Sequence, residues 1–275
     1  MGEKKTLAIL LKKTLLSNDD GILEFLTMEM GKITVFARKF AKSKKRNEID
    51  FFRVIELGIF QGRNSKSLRT ANTFSLFHNF SRDFTSTQIG FEWLDILRKI
   101  LPEEEIDTKL FKVIIDLFSH YSTEDKAKWN AYFQVKILNF AGFWPKFDQI
   151  RTDIYFDPHT KLISQDFFAD SIEISNIERQ TLEFLRRADL AEFSAKKNKL
   201  PEKFAKIFEV IDAIESLNKI NIHFVQQENI DLCLLKAKNE YTKLIHDEKN
   251  CSRSRSNGFL CFHRNSFGRC TICRL

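Results

Sequence analysis

Apolar residues follow one period before about residue 80 and a different period after it. In the first part they alternate with polar residues, as in Lys32–Arg38, which is typical of a half-buried strand. In the second part they recur every three or four positions, as between Phe91 and Leu101, which is typical of one helix face. The switch predicts an α+β chain that has a strand-built module, a helical module and a short tail. Their predicted bounds are 1–80, 81–250 and 251–275.

The strand-built module contains five candidate strands. They are Thr6–Leu16, Ile22–Thr27, Lys32–Arg38, Asp50–Gln61 and Ser67–Phe77. The first two are joined by Ser17-Asn18-Asp19-Asp20-Gly21, which consists of residue types that tolerate tight turns. Five strands with short connections fit a small closed barrel better than an open sheet. The predicted architecture is therefore a five-stranded OB-fold β-barrel, the barrel that binds oligonucleotides or oligosaccharides, and an SH3-like barrel is the alternative.

The helical module carries further apolar stripes at the helical period. Helices are expected near Leu110–Leu117, Trp129–Phe140, Ile177–Leu190, Phe204–Leu217 and Gln226–His246. Glu103-Glu104-Glu105 is expected at the start of the first of these, where acidic side chains stabilise the helix dipole. Pro145–Gln165 shows no clear period, which predicts an irregular segment.

Charge is distributed unevenly along the chain. Residues 1–80 hold 15 Lys and Arg against 8 Asp and Glu, whereas residues 81–250 hold 24 against 29. A basic N-terminal module on a mildly acidic body is typical of a nucleic-acid binder with a separate partner-binding domain. Local imbalance of this kind also occurs in many proteins that bind no nucleic acid.

The densest positive charge lies between the third and fourth candidate strands. Six of the nine residues in Arg38–Arg46 are basic. Lys and Arg side chains on a loop can follow a phosphate backbone without reading its sequence, and such binding weakens with salt. The alternative is a solvated loop that only keeps the protein soluble. The candidate phosphate contacts are Lys32, Arg38, Lys39, Lys42, Lys44, Lys45, Arg46, Arg63 and Arg69.

One aromatic residue interrupts this basic run. Phe40 is the best candidate in the module for stacking on a base, because OB-type surfaces often stack bases on aromatic rings. Anchoring of the loop in the core is the competing role for Phe40, and it is favoured.

The sequence contains no recognisable catalytic constellation. It has no GxxxxGK phosphate loop, no GxSxG elbow and no HExxH pair, and its six histidines are isolated. We therefore expect a protein that is not an enzyme and needs no cofactor. Asp153, Asp157 and Asp166 could hold a metal ion, although a polar loop is the simpler interpretation. No apolar run reaches the length of a membrane span, and a cytoplasmic protein is expected.

The tail differs in composition from the rest of the chain. It contains four of the five cysteines, at Cys251, Cys261, Cys270 and Cys273, and no lysine. The last two cysteines have a zinc-type CxxC spacing, but the first two are ten residues apart. A disordered extension is expected, with a zinc knuckle as the alternative.

Parts of the sequence resemble the RecO family of bacterial DNA repair proteins. Leu16–Lys39 has the family's order of turn, strand ending in Thr-x-x-x-Gly, and third strand leading into a basic loop. Phe140-Ala141-Gly142-Phe143-Trp144-Pro145 resembles its Gly-Phe-x-Pro segment. Tyr155-Phe156-Asp157-Pro158 and Lys161-Leu162-Ile163 resemble a later hairpin. The resemblance covers roughly residues 6–225.

The resemblance implies an OB-fold followed by a helical domain in a protein that binds single- and double-stranded DNA and anneals complementary strands. The implied partners are the single-strand-binding protein, RecR and, indirectly, the recombinase RecA, and a nucleoid-associated location follows. The DNA contacts would be the cations of the basic run together with Lys32. A barrel that binds structured RNA and a metal-dependent nuclease are the rival hypotheses.

The sequence departs from the family at one place. Many members carry a four-cysteine zinc site after the Gly-Phe-x-Pro segment. Here Ile150, Asp153, Ser164 and Phe167 stand at about those positions. We therefore expect no zinc in this degenerate region, which lies at about residues 145–168.

Overall fold

The computed structural model describes most of the first 217 residues of the chain. The described ranges are 2–63, 65–145, 154–157, 163–164, 167 and 171–217, with the backbone of 262–264 and 270–272. Residues 1–223 form one compact unit and residues 224–275 form a second. In the second unit, β9 (Phe262–Arg264) pairs antiparallel with β10 (Cys270–Ile272). The expected helix Gln226–His246 and the rest of the tail lie outside the described residues.

Five strands form the N-terminal part of the first unit. They are β1 (Gly2–Leu15), β2 (Gly21–Thr27), β3 (Gly31–Ala37), β4 (Arg53–Gln61) and β5 (Lys66–Leu76). The pairing order β1-β2-β3-β5-β4 returns to β1, because β1 pairs with both β2 and β4. The seam is a single parallel bridge between Phe36 and Ser67. The predicted five-stranded, OB-type architecture is confirmed.

Strict alternation sets which side chains fill this barrel. On β3, Ile33 and Val35 are at most 1% exposed, and on β2 the same is true of Leu23 and Phe25. Successive residues of a strand point to opposite faces, so the residues between these must point outward. The outward positions of β2 and β3 are therefore fixed by the apolar pattern of the inward ones.

The helical part of the first unit contains six helices among the described residues. They are α2 (Phe84–Ile100), α3 (Thr108–His120), α4 (Lys126–Phe140), α5 (Asn176–Arg187), α6 (Leu190–Lys196) and α7 (Ala205–Leu217). Aromatic rings form their core: Trp93 stacks on Phe133 with ring centres 4.0 Å apart, and Phe80 stacks on Tyr121 at 4.3 Å. Trp93 also donates its indole N–H to Asn130 Oδ1 at 2.8 Å. The predicted helical module is confirmed for the part that the structure describes.

The acidic triplet does not begin a helix, contrary to the expectation from its charge. Helix α3 begins at Thr108, and Asp107 caps it by accepting from the Leu110 N–H at 2.8 Å. The triplet instead runs along the barrel, where the Glu104 N–H donates to the Lys32 carbonyl at 2.9 Å. A methyl group on Gly31 would collide with the Glu105 backbone there. The interaction with the barrel therefore outweighs the helix dipole in placing these acids.

The segment expected to be irregular contains strands. β6 (Ile154–Phe156) lies between β7 (Ile163–Ser164) and β8 (Ile172–Ile174) in a three-stranded antiparallel sheet. The β6–β7 pair is the hairpin that the family resemblance implies. Phe167 is 73% exposed, and Ile150 and Asp153 lie outside the described residues.

Candidate nucleic-acid interface

The run of cations that follows β3, Arg38–Arg46, is called the basic segment below. It forms a one-turn 3-10 helix at Phe40–Lys42 and then enters the short helix α1 (Lys45–Glu48). The backbone of the expected loop is therefore folded into short helical turns, while most of its basic side chains remain exposed. Phe40 is 1% exposed, so its ring anchors the segment in the core and is not available to stack on a base.

The far end of the basic segment is fastened to β5. The Thr73 N–H donates to Glu48 Oε2 at 2.9 Å, and the Thr73 hydroxyl donates to the Glu48 carbonyl at 3.1 Å. The bond from the Thr73 N–H lowers the pKa of Glu48, because it stabilises the charged carboxylate. Lys45 Nζ also donates to the Leu68 carbonyl at 3.3 Å. These bonds hold the segment beside β5.

Most cations of the basic segment have no acidic partner among the residues that the structure describes. Arg38, Lys39 and Lys44 are exposed, and no carboxylate pairs with them within the described ranges. Arg46 is exposed and donates to the Ala41 carbonyl at 3.2 Å. Lys42 is the exception, since its Nζ lies 2.5 Å from Asp19 Oδ2. The segment therefore presents a cluster of positive charge that the surrounding protein leaves largely uncompensated.

The outlying candidate cations lie in different surroundings. Lys32 is six residues before Arg38 along the chain, or about 20 Å at the rise of a strand. Its Nζ donates to the Arg98 carbonyl at 2.9 Å, and burial lowers its pKa. Arg69 lies over the Phe60 ring, 4.9 Å from the ring centre, and Arg63 is exposed in the β4–β5 connection. Lys32 is thus held at the barrel–helix contact, whereas the other two remain on the barrel surface.

The outward face of β2 and β3 carries two exposed apolar residues that the sequence reasoning did not single out. Ile22 and Phe36 are direct cross-strand neighbours, and they are 37% and 40% exposed. Arg38 follows two residues after Phe36. In OB-folds this face binds oligonucleotides, and aromatic rings there stack on bases. The alternation of residues along β3 predicts this position, because Val35 and Ala37 face inward and Phe36 between them must face outward.

The carboxylates of the nuclease hypothesis are only partly described. Asp153 and Asp166 lie outside the described residues, and Asp157 follows β6. Within the described ranges, no group of three or more His, Cys, Asp or Glu side chains is placed to hold a metal ion. In the same ranges no helix has the length and apolarity to cross a membrane.

Comparison with known proteins gives consistent results. Residues 1–80 match the family model described as "Recombination protein O N terminal". The chain is 23% identical over 167 residues to the DNA repair protein RecO of Dehalococcoides mccartyi strain 195, a match that covers 57% of this chain and 66% of that protein. It is 26% identical over 153 residues to the DNA repair protein RecO of Caldanaerobacter subterraneus subsp. tengcongensis, covering 52% and 60%.

A third relative extends the match further. The DNA repair protein RecO of Azobacteroides pseudotrichonymphae is 23% identical over 180 residues, which covers 59% of this chain and 75% of the relative. The chain spans just under two thirds of the first two relatives. The match to residues 1–80 coincides with the five-stranded barrel and its basic segment. Residues 1–80 therefore match the N-terminal domain of the RecO family, and the wider chain is similar to proteins named DNA repair protein RecO.

Proposed function

We propose that this protein acts in DNA repair as a recombination mediator that binds DNA through the basic segment. The observation that supports this proposal is the imbalance within Arg38–Arg46, where only Lys42 among six cations is paired with a carboxylate in the described part of the chain. An uncompensated cluster on a fixed backbone is suited to a polyanion. The relatives named DNA repair protein RecO make DNA the favoured polyanion.

The proposed activity is annealing of complementary strands, and it needs no catalytic residue or cofactor. Two DNA strands repel each other through their phosphates, and cations that neutralise both backbones reduce that repulsion. Each neutralised phosphate also releases counterions, which favours binding at low salt. The protein would therefore act by binding alone.

The exposed pair Ile22 and Phe36 adds a second contact to the proposal. A single strand that lies across the β2–β3 face would place unpaired bases on Phe36 and phosphates beside Arg38. Stacking on an aromatic ring is tolerant of sequence, because every base has a π-face. The barrel would thus hold single strands in a state from which bases can pair.

The helical body is the proposed site of partner contacts. We assign to it the single-strand-binding protein and RecR, and through them assistance in loading the recombinase RecA on coated strands. A cytoplasmic location with the nucleoid follows from this role. These assignments follow from the resemblance to the RecO family.

The test is a strand-annealing assay with labelled complementary oligonucleotides, with and without single-strand-binding protein. The variant Arg38→Gln/Lys44→Gln should anneal about tenfold more slowly than the unchanged protein. Lys109→Gln/Lys112→Gln removes equal charge from exposed positions on α3 and should anneal at the unchanged rate. Equal rates for the two variants would contradict the proposal, as would a strong preference for structured RNA over single-stranded DNA.

A further inference from the structure

The turn between β1 and β2 is a closed unit held by its own hydrogen bonds. The Leu16 N–H donates to the Asp20 carbonyl at 2.9 Å, and the Asp19 N–H donates to the Leu16 carbonyl at 3.2 Å. Asn18 Nδ2 donates to Asp20 Oδ2 at 2.7 Å. These bonds fix the directions in which the two carboxylates of the turn point.

The buried carboxylate of this turn holds the backbone of the basic segment. Asp20 is 9% exposed, and its Oδ1 accepts from the Lys39 N–H at 2.6 Å. Lys39 has φ of 50°, a left-handed conformation that is unfavourable for a residue with a side chain. The Ala41 N–H donates to the Asp19 carbonyl at 2.9 Å. The turn therefore sets the bend from which the basic segment leaves β3.

The exposed carboxylate of the same turn forms an ion pair with one cation of the segment. Asp19 Oδ2 lies 2.5 Å from Lys42 Nζ, and the two side chains are 38% and 75% exposed. The hydrogen bond to Asp19 raises the pKa of Lys42. A phosphate that approaches Lys42 is repelled by this carboxylate and competes with it for the N–H donors of the ammonium group.

We propose that the β1–β2 turn controls the basic segment in two opposite ways. Asp20 is a positioning residue that holds the segment in its binding conformation, and Asp19 is an internal competitor that lowers the affinity of Lys42 for phosphate. This inference rests on the proposed DNA-binding function. It assigns to the turn a role in setting affinity, with neighbouring residues acting in opposite directions.

The first experiment measures single-stranded DNA binding by the full chain as a function of salt. Asp19→Asn should bind two- to fourfold more tightly, since an exposed ion pair contributes little and its loss frees one lysine. Its salt slope should steepen by up to about 0.7, the value for one further phosphate contact. Glu56→Gln, an equal charge change at an exposed position of β4, should leave both quantities at their unchanged values.

The second experiment separates positioning from stability. Asp20→Ala should bind about fivefold more weakly and should expose the amides of residues 39–41 to faster hydrogen exchange. Asp20→Asn keeps an oxygen that can accept from the Lys39 N–H. It should therefore retain most of the binding and most of the protection from hydrogen exchange at residues 39–41. If Asp20→Ala fails to fold, Asp20→Glu replaces it, because the longer side chain moves the carboxylate away from the Lys39 N–H and should weaken binding and speed exchange at 39–41. Asp19→Asn tests the competing role independently.

The outcomes distinguish the inference from the function beneath it. Failure of the unchanged protein to bind DNA would overturn the proposed function. Binding by the unchanged protein, with Asp19→Asn indistinguishable from Glu56→Gln, would overturn the role of Asp19 and leave the function standing. Weakened binding by Asp20→Ala without faster exchange at 39–41 would overturn the positioning role.

Discussion

Charged side chains are paired differently in the helical body and in the basic segment of the barrel. In the helices, carboxylates pair with nearby cations along the same helix, as Asp95 does with Arg98 and Lys99 and as Glu183 does with Arg186 and Arg187. In the basic segment, one cation of six has such a partner in the described structure. Surface ion pairs contribute little to stability, so the difference concerns what each surface can bind. These helical cations are compensated by neighbouring carboxylates, whereas the basic segment keeps most of its positive charge available for an external anion.

The helical body also buries acid, and this leads to the largest expected effect. Glu215 on α7 is 5% exposed, and burial raises its pKa to about 8. Asp212 and Glu92 raise the pKa further, and Lys99 opposes them. Between about pH 4.5 and pH 8 the folded state therefore holds a proton that the unfolded state has lost. The free energy of unfolding must fall as the pH rises through this window.

Replacing Glu215 by Gln should remove this dependence, because the amide resembles the protonated acid. The raised pKa of Glu215 corresponds to a fall on the order of 4 kcal/mol in the free energy of unfolding between pH 5 and pH 8. Denaturant unfolding at both pH values measures it. Glu202→Gln, at an exposed position, should show the same fall as the unchanged protein. A Glu215→Gln variant that loses stability with pH as steeply as Glu202→Gln would contradict the burial argument.

The next prediction tests the difference in charge directly. Replacing Lys42, Lys44, Lys45 and Arg46 by Ala should weaken single-strand binding about 100-fold at moderate salt. The slope of log affinity against log salt should flatten by up to roughly 3, which is about 0.7 for each lost contact. Fluorescence anisotropy across a salt series gives both numbers.

The matched control removes the same charge from the helical body. The quadruple Ala variant at Lys109, Lys112, Lys199 and Lys203 changes exposed lysines there. It should shift affinity by less than about threefold, since only long-range attraction is lost. If the two quadruple variants weaken binding equally, net charge and not the basic segment accounts for the affinity.

The sequence predicts the barrel well because each strand follows from a local rule. The alternation around Ile33 and Val35 requires one buried face, and a shift of one residue would expose all of that face. The helices follow in the same way from stripes such as the one that includes Leu94 and Leu97. For the barrel strands and the longer helices, element type and the core were therefore predictable from neighbouring residues alone.

The features that local patterns did not predict depend on contacts between distant parts of the chain. Lys32 reaches the carbonyl of Arg98, 66 residues away, and no local pattern signals that bond. The acidic triplet is placed by its packing on Gly31, which needs φ of 67° at that point. The basic segment is ordered by Asp20 and Thr73, from two other elements. Local propensity cannot anticipate such contacts, because their partners are chosen by the fold.

The smallest expected effect concerns the one barrel contact that does not depend on charge. Phe36→Ala should weaken single-strand binding about fivefold, since a stacked base contributes roughly 1 kcal/mol at the low end of its range. Duplex binding should stay unchanged, because paired bases are stacked within the helix and cannot reach Phe36. Phe74→Ala, which removes a ring that is 70% exposed on β5, should affect neither. Phe36→Trp should retain single-strand binding. Equal losses for single strands and duplexes would show that Phe36 supports the barrel and does not stack on bases, and the barrel would then bind through charge alone.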